Sequence, residues 1–125
     1  MRSKILKIAA PVVLLAVLLG LFILRISITS SIADIAREAL RASPAGEDRV
    51  TALMAYVADE ERPLERRNRA VWALGQLRDE RALPVLRGYV KEDCRHGEEL
   101  CQHELAKAIA LCEDPGPDLL RIVGG

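Results

Sequence analysis

Two stretches of this sequence recur. Ala52-Leu53-Met54-Ala55-Tyr56-Val57 is matched by Val85-Leu86-Arg87-Gly88-Tyr89-Val90 at a spacing of 33. Ala73-Leu74-Gly75-Gln76-Leu77-Arg78-Asp79 is matched by Ala108-Ile109-Ala110-Leu111-Cys112-Glu113-Asp114 at a spacing of 35. A period in the thirties, carried by apolar stripes at helical spacing, leaves few folds open. Each hairpin of helices has a face it cannot bury alone, so successive hairpins stack. The stripes are Val50, Leu53, Met54 and Val57; Ala70, Ala73, Leu74 and Leu77; Leu83, Leu86 and Val90; then Cys101, Leu105, Ala108, Ile109 and Cys112. The expected fold is all-α, a short α-solenoid of about two helical hairpins with capping helices.

The stretch Arg66–Leu86 joins the two hairpins. Small residues at Ala70, Ala73 and Gly75 allow a neighbouring helix to come close, and Asp79 has the short side chain that holds a turn's backbone amides. Pro84 belongs in the first turn of the next helix, where its missing N–H removes no bond. Arg67, Ala70, Ala73, Leu74, Gly75, Asp79, Ala82, Pro84 and Leu86 stand where the short bacterial type of HEAT-like repeat has its signature residues, and the sequence resembles that family here. Arg66 departs from the usual Val and Arg78 from the usual Gly. The resemblance implies a protein-interaction scaffold with Arg67, Gly75, Asp79 and Pro84 as structural residues, Arg67 pairing with Asp79 or an equivalent Asp across the turn. Gln102 replaces Arg67 in the second copy. Some proteins with this repeat are bilin lyases of the phycobilisome. The likeness, over about residues 47–123, lies in the scaffold and implies no such activity.

Ahead of the repeats, Ile8–Leu24 is a run of 17 residues without a charge or strongly polar side chain, flanked by Lys7 and Arg25. With those two charges snorkelling outward, a helix here can cross a hydrocarbon core about 30 Å thick. Arg2, Lys4 and Lys7 precede it, and beyond Arg25 the next positive charge is Arg37, so the positive-inside bias places the N-terminus in the cytoplasm. The rival reading is a secretory signal cut after Ser31-Ile32-Ala33, although this core is longer than a typical signal's. No lipobox-like Cys follows the run. The domain organisation expected is a basic tail (1–7), a membrane span (8–28), a linker with a first short helix (29–46) and the repeat domain (47–125). Ser31 with Asp34 is a candidate capping box for that short helix, Ile32–Leu40. Ser43-Pro44-Ala45-Gly46 closes it, and Leu119–Val123 reads as a last capping helix after the Asp114-Pro115-Gly116-Pro117 turn.

Cys94, His96, Cys101 and His103 cluster within ten residues. Their spacing does not fit a Cys2His2 zinc site, since residues two apart on a helix point about 200° apart. A disulfide between Cys94 and Cys101, flanking the loop of an antiparallel hairpin, fits better and would stabilise a small domain by about 2–3 kcal/mol. Free thiols are the alternative. Cys112 lies about 16 Å along the helix from Cys101 and reads as a small buried hydrophobe.

Arg62, Arg66, Arg67 and Arg69 crowd one loop and helix start with Glu61 and Glu65 between them. Arg62, Arg66 and Arg69, with Trp72 nearby, are the candidate partner-binding residues; the plainer reading is a solvated loop. Tyr56 and Tyr89 read as packing residues. No nucleophile–base–orienter set, phosphate-cradling Gly loop or paired carboxylates are present, so no enzyme, cofactor or small-molecule substrate is expected. Setting aside Arg2, Lys4, Lys7 and Arg25, the chain carries 14 basic against 18 acidic residues, which argues against nucleic acid. The function expected is a single-pass protein of the plasma (inner) membrane that displays a repeat scaffold outside the cytoplasm to membrane-associated protein partners. The alternatives are a redox-responsive domain using Cys94 and Cys101, or a secreted repeat protein.

Overall fold

A computed structural model describes residues 2–93, 95, 97–114 and 116. Among them the fold is all-α, as the stripes require. Its helices are α1 (Arg2–Ala42), α2 (Arg49–Ala58), α3 (Leu64–Leu77), α4 (Leu83–Gly88, entered through a 3-10 turn at Glu80–Ala82) and α5 (Gln102–Glu113). The chain divides into two compact units, Met1–Ala33 and Asp34–Gly125.

The first unit is helical throughout its described length. From Ile5 to Ile26 its large apolar side chains are each more than half exposed. The helix is long and apolar enough to cross a membrane, a test that a signal sequence near an N-terminus also passes. The expected break near residue 29 is absent, because α1 continues to Ala42. Ser31 does not cap a new helix. Its Oγ donates to the carbonyl of Ser27 at 2.9 Å, as Thr29 does to Arg25 at 2.8 Å. These hydroxyls donate to carbonyls of the preceding turn, and because the helix runs on there are no orphan amides for Ser31 to cap.

In the second unit the end of α1 supplies Ile35, Ala36 and Ala39 to the core, as the stripe predicts, while Leu40 stays exposed. Gly46, at φ 94°, closes the turn that follows. Asp48 caps α2 by accepting from the Thr51 amide at 3.1 Å, and Pro63 opens α3. Leu53, Val57, Val71, Leu74, Leu86 and Leu105 are fully buried. Each such side chain removed from water is worth about 1.5–3 kcal/mol, which is what holds the hairpins together.

Not every expected stripe residue reaches the core. Val90 is exposed, because α4 ends at Gly88 and the chain has left the helix before Val90 could face inward. Met54, Leu77, Leu83, Cys101 and Ile109 are only half-buried; Leu105, Ala108 and Cys112 carry the buried face of α5. The expected last helix at Leu119–Val123 lies outside the described residues.

Candidate functional site

α3 and α5 pack closely against each other, and Gly75 explains how. A Cβ at Gly75 would stand 2.8 Å from the Cα of Ala108 and 3.0 Å from its Cβ, so hydrogen there is what lets α5 approach. Alongside this contact runs a shallow groove of about 170 Å³ lined by Trp72, Gly75, Gln76, Glu104, Lys107, Ala108 and Leu111. Trp72 is half-buried in its wall, and Arg69, one turn earlier on α3, is exposed and makes no ion pair among the described residues.

The other two candidate arginines are engaged within the unit. Arg62 pairs with Asp59 at 2.9 Å and lies 5.1 Å over the Tyr56 ring. That pairing holds the Asp59 carboxyl below the usual range. Arg66 is paired with Glu38, and its guanidinium is 4.0 Å from Asp34. Glu38 also accepts from the Tyr56 hydroxyl at 2.5 Å, so it gathers α1, α2 and α3 at one point. Sequence reasoning missed this hub, since a single acidic residue on an amphipathic helix looks like any solvated charge. The four expected residues therefore separate: Arg69 and Trp72 share an accessible face, whereas Arg62 and Arg66 serve the fold.

Arg67 corrects its expected role. It does not pair with Asp79, because the end of α3 at Leu77 is already about 15 Å further along the helix, beyond a side chain's reach. Arg67 is buried, donates from Nε to the carbonyl of Val57 at 2.8 Å, and lies 5.8 Å over the Tyr89 ring. Gln102, its counterpart in the second copy, does the same work without charge, donating from Nε2 to the carbonyl of Tyr89 at 3.1 Å and accepting from the Lys91 amide at 2.9 Å. Asp79 acts as the turn residue predicted, accepting from the Arg81 amide at 3.0 Å. Arg81 in turn spans Asp79 and Asp48, at 2.8 and 2.7 Å, linking the caps of successive hairpins. Asp114 repeats the same turn with the Gly116 amide at 3.1 Å. Pro84 sits in the first turn of α4 as expected.

These features, from Arg67 through the Asp79 turn to the end of α4, coincide with a match to the family model for the PBS lyase HEAT-like repeat at residues 67–91. Residues 67–91 therefore form a HEAT-like repeat. HEAT-like repeats generally mediate protein–protein interaction. Searches of curated proteins and of solved structures return no match.

Among the thiols, Cys112 is buried with its Sγ 3.6 Å from the Leu74 carbonyl, and burial pushes its pKa up. It is a packing residue of this HEAT-like unit, as expected. Cys101 opens α5, where the Asn68 Oδ1 accepts its amide at 2.8 Å. The bridge expected to Cys94, the redox reading built on it and the His96 half of the cluster fall on positions outside the described residues.

Proposed function

We propose that this HEAT-like repeat protein is held in the membrane by α1 and offers the α3–α5 face, outside the cytoplasm, to a membrane-associated protein, with no catalytic role of its own. The observation that carries the reading is the exposure of the first unit. A soluble protein's core helix is mostly buried, whereas the apolar window of α1 is 0% buried. Seventeen residues of uncovered hydrocarbon side chain call for lipid. On the partner side, Trp72 is the residue type that anchors protein interfaces, half-exposed in a groove beside the unpaired Arg69. Confinement to the bilayer raises the effective concentration of partners held in the same plane.

The test is site-specific photo-crosslinking in native membranes. A photoreactive residue at Gln76, beside Trp72, should give a discrete adduct with a membrane protein. The same probe at Ala55, exposed on α2, should not. Identical adducts from both positions, or none from Gln76, would count against this face.

A further inference from the structure

We infer that the groove over Arg67 is a second binding site, one that takes the side-chain carboxylate of a protein segment. It is separate from the Trp72 face. Arg67 is 9% exposed, yet it makes no ion pair with any described residue. Its Nε is committed to the Val57 carbonyl and one face of the guanidinium to the Tyr89 ring. What remains is the end-on pair of terminal N–H groups, the edge with which arginine grips a carboxylate through two parallel hydrogen bonds. A cation withdrawn from water without a counter-charge is stabilised when it acquires one. Asp59, whose carboxylate feels the Arg67 charge, already accepts from Arg62 at 2.9 Å and from the Glu61 amide at 3.1 Å.

A groove of about 460 Å³ opens onto Arg67, with the half-buried Tyr89 ring beside it and Leu100 buried beneath. Three acids also line it. Glu98 is paired with Arg95 at 3.5 Å, and Glu99 is paired through Oε1 with Lys91 at 2.8 Å while its Oε2 is buried without a hydrogen-bond partner. Glu60 has no ion pair among the described residues. The groove therefore presents one cation without an ion pair beside unmet acidic acceptors, Glu60 and the Glu99 Oε2, which a partner meets with a carboxylate next to an ammonium group. Gln102, the neutral counterpart of Arg67, has its amide fully employed, so the second copy lacks this capacity.

The experiment uses the full chain in detergent micelles and follows the Arg67 Nε–H signal by nitrogen-edited NMR. Its hydrogen bond to Val57 slows exchange and keeps that signal visible. The probes are the dipeptides acetyl-Glu-Lys-amide and acetyl-Gln-Lys-amide. The first should shift the Arg67 signal saturably and bind at least about tenfold more tightly than the second, the loss expected when a charged bidentate contact becomes a neutral one. Arg67→Gln, which can keep the carbonyl bond as Gln102 does, should abolish the difference between the two probes in the groove signals of Tyr89. Trp72→Ala should leave the titration unchanged. Equal response of the wild-type chain to both dipeptides would overturn the site, as would an unchanged preference in Arg67→Gln or its loss in Trp72→Ala.

Discussion

A methyl group placed on Gly75 would stand 2.8 Å from the Cα of Ala108. That single approach sets how closely α3 and α5 pack, and so the geometry of the groove beside Trp72. Glycine inside a helix ordinarily costs about 0.5–1 kcal/mol relative to alanine, so its presence here needs the contact to outweigh that cost. Gly75→Ala should therefore destabilise the repeat unit, by about 1–3 kcal/mol of overpacking. Gly88→Ala, where nothing lies within 4 Å, should leave the melting point unchanged or raised. The chain's one tryptophan, Trp72, reports the transition by fluorescence.

Arg78 ends α3 in the left-handed region, at φ 52° and ψ 39°. It is the one described residue other than glycine with positive φ. It occupies the position where the family pattern has Gly, and the structure shows why Gly is usual there: a Cβ is strained in this conformation. Arg78→Ala, which loses the side chain and keeps the Cβ, should be less stable than Arg78→Gly by about 1 kcal/mol, read from the same melting curve.

Much of this fold was legible because its signals are local and periodic. The stripe through Leu53, Leu74 and Leu86 marked the core, Asp79 and Pro84 marked the turn, and Gly75 marked the close approach. The candidate site was less legible. Arg62, Arg66, Arg67 and Arg69 look alike in sequence, yet one pairs with Asp59, one with Glu38, one is buried under Tyr89 and one is exposed. Those fates depend on which acids and rings other helices bring near, and periodicity carries no such information. The failed capping box at Ser31 has a similar cause, since the same hydroxyl can cap a new helix or bond back to an old one.

The Asp48–Arg81–Asp79 link gives stability a pH dependence. The Thr51 hydrogen bond first, then Arg81, holds the Asp48 carboxyl below its usual range, and Arg81 does the same for Asp79. Groups whose folded pKa lies below the unfolded value of about 3.9 contribute fully above that pH and lose their contribution as pH falls through the folded value. The melting point should therefore drop as pH is taken from 5 toward 2.5. Arg81→Gln should flatten that drop, leaving the part of the Asp48 effect that Thr51 supplies. An identical pH profile in the variant would show that the link does not operate in solution.

The most direct measurement is the intact mass of the protein recovered from membranes after an alkaline carbonate wash. A helix that stays in the bilayer as an anchor predicts the whole 125-residue chain, 13.8 kDa, in the washed pellet. Release into the supernatant, or a chain that begins after Ala33, would contradict it.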